Sequence, residues 1–365
     1  MTGMRVPFTD LRLGEDSPAI REAMTRVMDR GWFVLGPEVD AFEQEFAAAS
    51  GAPHAVGVGN GTDAIALVLR ALGVGAGDEV ITTPLSAAFT ALAIVMTGAR
   101  PVFADIDPER MTLDPASAER AITRRSVALL PVHLYGQPAD MASLAALASR
   151  KGLALVEDCC QAHLATCGGQ PVGTFGAAGA FSFYPTKNLG ALGDGGAVIT
   201  RDPALAERIK RLRNGGQAGR YDHVEPGVNS RLDDLQAAVL RARLPLLRGR
   251  TAERRALASE YRARLEGTAA VNVPIEVDSG HVYHLFPIRS PRRSQLQAHL
   301  RTAGIDTLVH YPVALTQQAA FASADPADCP NAIRVAGQVL SLPLYPGLPL
   351  DSVRAVADAV RKDTI

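Results

Sequence analysis

The chain has 365 residues, of which 47% are hydrophobic and 21% are charged, a composition typical of a soluble globular protein. Its formal net charge is −1 and it contains no block of basic residues, so we expect neither a nucleic-acid partner nor binding to an acidic membrane surface. Since no apolar run approaches the roughly 20 residues that span a bilayer, and the N-terminus lacks a signal-peptide pattern, we expect a cytoplasmic protein.

Helical patterns alternate with short apolar runs in the first half of the chain. Residues 17–30 begin with Ser17 as N-cap and Pro18, and stop at Gly31, which predicts a helix; residues 61–72 predict another. β-rich runs follow at 78–83, 100–106, 128–136 and 153–158, with helix-like stretches between them. This order predicts an α/β fold with a mostly parallel sheet between helices, which binds its ligands at the carboxyl ends of the strands.

The second half of the chain changes in composition. An arginine-rich stretch near residues 241–264 predicts a long helix that leads into the last part of the chain. We therefore expect a large domain over residues 1–245, which includes the N-terminal segment, and a small domain over residues 246–365. Cys159, Cys160 and Cys167 lie close together in sequence, but their spacing matches no common zinc pattern, so we expect buried thiols and no metal.

A glycine-rich turn, GVGNGTDA, occupies residues 57–64 and leads into the second predicted helix. Its glycines do not have the spacing of a dinucleotide-binding fingerprint. Gly61 and Thr62 stand at the start of the helix, where backbone N–H groups and a hydroxyl can bind a phosphate. A purely structural turn is the alternative.

An acidic residue, Asp158, ends the apolar run at 153–158, where its carboxylate would be buried. A buried carboxylate needs a cationic partner, and a protonated pyridine nitrogen would serve. Gln161 follows three residues later and faces the same site if a helical turn starts here. The alternative is that Asp158 only caps that turn.

A lysine, Lys187, lies in a loop between two apolar runs in GAFSFYPTKNLGALGDGGAVIT, residues 179–200. Pro185 holds the loop extended and Ser182 precedes the lysine by five positions. Burial lowers the pKa of a lysine, as the chemistry of a Schiff-base lysine requires. The alternative is a surface lysine at the tip of a hairpin.

A further helix start is predicted in NSRLDDLQAAVL, where Ser230 and Asp233 form the pattern of a capping box. Asn229 would then stand just before a helix N-terminus, in a place suited to an anion. In chain order, the sequence thus offers a phosphate site, a buried carboxylate, a loop lysine and a second anion site. This set suggests pyridoxal phosphate as the cofactor.

The same motifs resemble those of one protein family. The matching phrases include GNGTDAI, GDEVI, PVHLYGQPADM, VEDCCQAH, FSFYPTKNLGALGDGG, NSRLDDLQAAVL, HVYHLFPIR and LSLPLYPGL, in an order that covers nearly the whole chain. On these motifs the chain resembles the DegT/DnrJ/EryC1/StrS sugar aminotransferases, which belong to the fold-type I pyridoxal-phosphate enzymes. The resemblance implies a large domain with a mostly parallel sheet between helices and a smaller α+β C-terminal domain.

The resemblance also implies roles for the cofactor-binding residues. Lys187 would form the Schiff base with the cofactor and move protons, and Asp158 would keep the pyridine nitrogen protonated. Gln161 would bond the 3-hydroxyl oxygen, and Gly61, Thr62 and Ser182 would hold the phosphate. Asn229 would reach the phosphate of the neighbouring subunit, which implies a homodimer with shared active sites. Residues expected to touch substrate are His133, Tyr135, Tyr184, His223, Arg231 and Tyr311.

The implied reaction moves an amino group from L-glutamate, which leaves as 2-oxoglutarate, to a keto group of a nucleotide-linked deoxysugar. Alternatives are a cyclitol or other non-nucleotide keto-sugar as acceptor, or a non-enzymatic regulatory or binding protein on the same fold. Dehydratases of the family carry histidine in place of the lysine, so Lys187 argues against that activity. A dinucleotide-dependent dehydrogenase, with Asp78 or Glu79 as its acidic ribose ligand, is the weakest alternative.

One departure from the family concerns the outer face of the cofactor ring. Relatives place an aromatic residue there, whereas this chain has Ala87 at the matching position and Phe89 two residues later. Either Phe89 takes over the stacking or the outer face stays open.

Overall fold

The computed structural model describes residues 5–269, 271–321 and 328–362. Within them, the helices are α1 Ser17–Arg30, α2 Pro37–Ala49, α3 Gly61–Ala71, α4 Ala88–Met96, α5 Pro115–Ala121, α6 Met141–Lys151, α7 Pro203–Arg213, α8 Asp234–Arg243, α9 Leu247–Leu265, α10 Arg293–Thr302, α11 Pro330–Gln338 and α12 Leu350–Lys362. The strands are β1 His54–Val58, β2 Glu79–Thr82, β3 Arg100–Phe103, β4 Ser126–Leu130, β5 Ala154–Asp158, β6 Thr166–Cys167, β7 Gln170–Pro171, β8 Ala178–Ser182, β9 Gly196–Thr200, β10 Gln217–Gly219, β11 Asp222–His223, β12 Phe286–Arg289 and β13 Val339–Leu342. None of the helices in these ranges is long and apolar enough to cross a membrane.

Seven strands form the central sheet in the order β1-β9-β8-β5-β4-β2-β3. Strand β9 runs antiparallel to both of its neighbours, β1 and β8, while the other pairs are parallel. The carboxyl ends of β1, β2, β4, β5 and β8 therefore lie along one edge of the sheet. The predicted α/β fold with a mostly parallel sheet between helices is confirmed, and this edge is where its ligands are expected.

Helices cover both faces of the sheet, so the side chains of a strand, which point alternately to opposite sides, are buried on both. On one face, Val156 packs in a cluster with residues of α3 and α7. On the other face, Leu155 packs with residues of α5 and α6, and Phe181 packs with Phe42 and Phe46 of α2. The near-continuous apolar runs of the sequence are the result of this two-sided burial.

The C-terminal part of the chain has its own apolar cluster. Strands β12 and β13 form an antiparallel pair, and residues of α9, α10 and α12 pack with them. Val6 belongs to the same cluster and bridges Ile305. The division between residues 245 and 246 stays a prediction, and the N-terminal segment contacts the C-terminal part of the chain.

Three local predictions differ from the structure. The N-cap of α1 is Asp16, and Ser17 is the first residue of the helix. The run at 128–136 stops being a strand at Leu130, because Pro131 has no N–H to donate and Tyr135 lies in the left-handed region at φ 60°. The capping box at Ser230 is also wrong, since α8 begins at Asp234 and has no side-chain cap. The Ser230 hydroxyl instead donates to Asp63 at 2.6 Å, so a tertiary contact replaced the local one.

Candidate active site

A cleft of about 880 Å³ opens at the carboxyl edge of the sheet. Its wall includes residues that follow β1, β2, β5 and β8, as well as residues of the C-terminal part of the chain. The predicted site residues that line it are Gly61, Thr62, Asp158, Gln161, Ser182, Tyr184, Lys187 and Tyr311. Side chains far apart in sequence meet here because the parallel strands end at one edge.

The buried carboxylate of the cleft is Asp158, the last residue of β5, which is only 4% exposed. Its Oδ2 accepts a hydrogen bond from the Thr90 hydroxyl at 2.7 Å, and its Oδ1 accepts one from the Cys160 N–H at 3.1 Å. The Ser86 hydroxyl lies 3.2 Å from that of Thr90 and extends the network. Asp158 is thus held in place by two donors, neither of them charged.

The start of α3 forms the other end of the cleft. Asn60 caps this helix by accepting a hydrogen bond from the Asp63 N–H at 2.9 Å. A Cβ on Gly61 would lie 2.7 Å from the Cys160 Sγ and 2.8 Å from the Ser182 Cβ, so only glycine allows α3 to approach β8 this closely. Gly61, Thr62 and Ser182 thereby meet at a helix N-terminus, a place suited to an anion.

The loop lysine, Lys187, is half-buried in the cleft wall, and its backbone N–H donates to the Tyr184 carbonyl at 2.8 Å. Burial lowers the pKa of its ammonium group from the usual 10.5, and the nearby Cys160 and Asp158 act in the opposite direction. Within the described part of the chain, its Nζ has no hydrogen-bond or ion-pair partner. The amine is therefore available for chemistry in the cleft.

A hydrogen-bonded group of two tyrosines and an amide forms a further wall. The Gln161 Oε1 accepts from the Tyr135 N–H at 2.7 Å, and the Gln161 Nε2 donates to the Tyr311 hydroxyl at 3.2 Å. The Tyr135 hydroxyl donates to the His310 carbonyl. Burial raises the pKa of Tyr311 to about 12, so its hydroxyl stays protonated near neutral pH. Tyr135, which was predicted to touch substrate, does not line the cleft; its backbone N–H positions Gln161.

The predicted substrate residue His133 lies outside the cleft and is fully buried. Its Nε2 lies 3.2 Å from the Glu157 carboxylate and its Nδ1 accepts from the Ala139 N–H at 3.0 Å. With Cys159, these two residues place three potential ligand atoms within 4.8 Å of one another. The Glu157 carboxylate already accepts backbone N–H groups of residues 173, 175 and 176, so the cluster is satisfied as a hydrogen-bonded core.

Three other predicted residues also lie outside the cleft of their own chain. His223 is exposed and contacts the Gly215 carbonyl through Nδ1 at 2.8 Å, and Arg231 donates to the Asn214 side chain at 3.0 Å. Asn229 is exposed as well. The acidic pair of the dehydrogenase alternative also lies elsewhere: Glu79 is buried in an ion pair with Arg100.

Some residues of the cleft carried no recognisable signal in the sequence. Thr90 lies in the apolar pattern of α4, and its contact with Asp158 joins positions 68 residues apart. His284 and His310 come from the C-terminal part of the chain, and both line the cleft. His284 belongs to the matching phrase HVYHLFPIR, but that phrase does not show where the imidazole lies.

The outer wall of the cleft contains Ala87 and Phe89 at the start of α4. Ala87 is too small to stack on a ring, while the Phe89 side chain is 63% exposed. Stacking by Phe89 on a bound cofactor stays a prediction.

An α/β fold with a lysine and a buried carboxylate in one cleft at the carboxyl edge of its sheet is typical of an enzyme, and comparison with known proteins specifies the family. The sequence model of the DegT/DnrJ/EryC1/StrS aminotransferase family matches residues 15–361. The chain belongs to this family, and the predicted aminotransferase class is confirmed.

Individual relatives agree with this assignment. The chain is 49% identical over 363 residues, 98% of its length and 96% of the relative's, to the dTDP-3-amino-3,4,6-trideoxy-alpha-D-glucose transaminase of Streptomyces venezuelae. Its fold matches a crystal structure of S. venezuelae DesV in complex with a ketimine intermediate, with a TM-score of 0.96, 49% identity and 98% of each chain covered. It also matches NtdA of Bacillus subtilis with bound cofactor PMP, with a TM-score of 0.92 and 30% identity over 98% of this chain and 86% of that one. The predicted fold-type I architecture is confirmed.

Proposed function

We propose that this enzyme uses pyridoxal phosphate to move an amino group from L-glutamate to a keto group of a nucleotide-linked deoxysugar. The observation that carries the proposal is that a lysine amine, a buried carboxylate and a helix N-terminus meet in one cleft, and that the amine has no partner among the residues that the structure describes. The name of the Streptomyces venezuelae relative, at 49% identity, supports a nucleotide-linked aminodeoxysugar as the substrate class.

The cleft has groups that fit each part of such a cofactor. The N-terminus of α3, where Gly61 leaves no side chain in the way, and the Ser182 hydroxyl suit the phosphate. Asp158 suits the protonated ring nitrogen, and Gln161 suits the ring hydroxyl. Lys187 suits the aldehyde carbon, since an amine of lowered pKa is a good nucleophile.

The bound cofactor would supply an electron sink for the carbon that loses its proton. Asp158, whose carboxylate is held by the hydroxyl of Thr90, would bind the protonated ring nitrogen. The Lys187 Nζ would take the proton from the substrate carbon as a general base and deliver it to the cofactor's C4′ as a general acid, a role that contributes about 10²–10⁴ in rate. Tyr184 and Tyr311, which line the cleft, are proposed to contact the substrate.

We also propose that two copies of the chain share their active sites. Asn229, His223 and Arg231 lie outside the cleft of their own chain, and Asn229 and His223 are exposed, so a neighbouring subunit could contact them. A mixture of Lys187→Ala and Asn229→Ala proteins would then regain activity, because each mixed dimer has one cleft with neither substitution. No recovery after subunit exchange would contradict shared sites.

The test of the main proposal follows the two halves of the reaction. Purified protein with added pyridoxal phosphate is expected to show a visible absorption band that L-glutamate bleaches. A nucleotide-linked keto-deoxysugar should then restore the band and appear as an amino sugar by mass spectrometry. With Lys187→Ala, we expect neither bleaching by L-glutamate nor formation of the amino sugar.

Each other outcome has its own meaning. Transamination by Lys187→Ala would overturn the assignment of the lysine. Bleaching by L-glutamate with restoration only by a keto-cyclitol would favour the non-nucleotide alternative. A stable band that no amino donor changes would indicate a binding or regulatory role.

A further inference from the structure

A second cavity, of about 430 Å³, shares Thr186 and Lys187 with the cleft. The rest of its wall comes from the N-terminal segment, the loop after Lys187, helices α8 and α9, and residues 345–347. Its volume is that of a small-molecule site, roughly 300–1,000 Å³. A ligand bound there would lie beside the lysine to which the chemistry is assigned.

Four charged residues of this second cavity are exposed to solvent. Asp10 and Arg12 pair with each other at 2.6 Å. Glu15 lies 3.8 Å from Arg250, and Glu253 accepts a hydrogen bond from a backbone N–H. Because solvent screens exposed charges, these four residues contribute little to the binding of a ligand.

The less exposed part of the wall has an excess of positive charge. Its carboxylate, that of Asp16, already pairs with Arg243 at 2.8 Å and with Arg250 at 3.1 Å. Arg254 is 7% exposed, and no carboxylate among the described residues lies within ion-pair distance of it. Since a buried charge is costly without a counter-charge, an anion in the cavity would complete this group.

The guanidinium of Arg254 is held in place with two of its nitrogens unused. Its Nη1 donates to the carbonyls of residues 283, 284 and 344, at 3.2, 3.2 and 2.9 Å. Its Nε and Nη2 make no hydrogen bond within residues 5–269, 271–321 and 328–362. The N–H groups of these two nitrogens point to one side of the guanidinium and bind the oxygens of a carboxylate or a phosphate in pairs.

We propose that Arg254 binds an anionic group of a substrate whose reacting carbon lies at Lys187. This inference rests on the proposed function, which supplies two such groups: a carboxylate of the amino donor and the diphosphate of the nucleotide-linked sugar. Both groups present paired oxygens to a guanidinium, so the experiment distinguishes between them.

The binding of glutarate tests the site without any transamination, because glutarate has the two carboxylates of L-glutamate but no amino group. In calorimetric titrations of the cofactor-loaded protein, Arg254→Gln should bind glutarate about ten- to hundredfold more weakly than the wild type. Arg254→Lys keeps the charge and can still donate to the carbonyls, so its loss should be smaller. The matched control is Arg255→Gln on the same helix, which removes an exposed side chain that lines neither cavity and should bind like the wild type.

Inorganic diphosphate, used as a second probe, identifies the source of the anion. For a donor carboxylate, Arg254→Gln should weaken glutarate binding and raise the KM for L-glutamate, while the binding of diphosphate and the KM for the sugar nucleotide stay unchanged. The opposite pattern would assign Arg254 to the diphosphate of the sugar. In both cases kcat should change little, because the contact is the same before and during the reaction.

A further pair of variants leaves Arg254 and its carbonyl partners intact. Leu11 lines the cavity and is exposed, so its replacement should not disturb folding. Leu11→Glu adds a negative charge and should weaken the binding of the anion about two- to fivefold, whereas Leu11→Gln should not.

Two results would overturn the proposal. If the wild type binds neither probe, or if Arg254→Gln binds both as well as the wild type does, Arg254 takes no anion. Equal losses in Arg254→Gln and Arg254→Lys, together with equal affinities of the two Leu11 variants, would show that Arg254 only supports the backbone. A protein that binds glutarate through Arg254 but takes no amino group from L-glutamate would refute the proposed donor and leave the anion site in place.

Discussion

Replacement of Thr90 by valine tests how the buried carboxylate is held. Valine has nearly the shape of threonine but lacks the hydroxyl that donates to the Asp158 Oδ2 at 2.7 Å. A hydrogen bond to a charged group is worth about 1.5–3 kcal/mol, which corresponds to roughly a ten- to hundredfold change in an equilibrium or a rate. The Asp158 charge would keep one donor, the Cys160 N–H. Thr90→Val should therefore weaken cofactor binding and slow the half-reaction with the amino donor. The two losses together should amount to about ten- to hundredfold.

The assay is a fluorescence titration with pyridoxal phosphate, combined with rapid mixing of the loaded protein and L-glutamate. Thr97→Val is a matched control at the other end of α4, where the hydroxyl donates to the Ile94 carbonyl at 2.7 Å and contacts no carboxylate. The control should bind cofactor and react like the wild type. If Thr90→Val also stays within about twofold of the wild type, the Asp158–Thr90 bond is not part of the working site.

Two further predictions concern the phosphate end and the lysine. Gly61→Ala should lose about 1–3 kcal/mol of stability by overpacking against Cys160 and Ser182, and it should bind cofactor more weakly. The control Gly337→Ala in α11, where a Cβ would have nothing within 4 Å, should be stabilised by about 0.5–1 kcal/mol. Denaturant and cofactor titrations check both variants, and wild-type cofactor affinity in Gly61→Ala would contradict the close approach of α3 to β8. In the cofactor-free protein, the unfolded chain binds more protons than the folded one between the lowered pKa of Lys187 and its usual 10.5, so the free energy of unfolding should rise with pH in that window. Lys187→Met should flatten this rise in urea titrations at several pH values, and an unchanged slope would show that Lys187 is not the group responsible.

Sequence reasoning succeeded where a residue type stood at a position that the fold uses in a defined way. Asp158 ends a strand, Gly61 starts a helix, and the parallel strands bring these ends together at one edge. That much follows from chain-order patterns and from the geometry of parallel sheets. It was enough to place Asp158, Gly61 and Lys187 in the same cleft.

The failures came from contacts between distant segments. The capping pattern at Ser230 is a local rule, but Asp63 and the Gly59 N–H occupy its hydroxyl through contacts across the fold. His133 was expected to touch substrate because it lies in a phrase that matches the family, and no pattern in the sequence shows its pairing with Glu157. Thr90, in helix α4, was missed because its partner Asp158 lies at the end of β5, 68 residues away in sequence.

Two acidic neighbours on β5 show why one carboxylate is structural and the other is available for a cation. Side chains alternate along a strand, so Glu157 and Asp158 point to opposite faces. A carboxylate can accept about four hydrogen bonds. Glu157 accepts them from the N–H groups of residues 173, 175 and 176 and contacts His133, which leaves no capacity.

Asp158, in contrast, accepts from Thr90 and from the Cys160 N–H and keeps capacity on the side of the cleft. A buried anion with unused acceptor sites is costly unless a cation or a donor completes it. The protonated nitrogen of a ring held by the start of α3 would complete it. The unused hydrogen-bond capacity of Asp158 therefore supports it, and not Glu157, as the proposed partner of the cofactor, although the two residues are adjacent in sequence and both are buried.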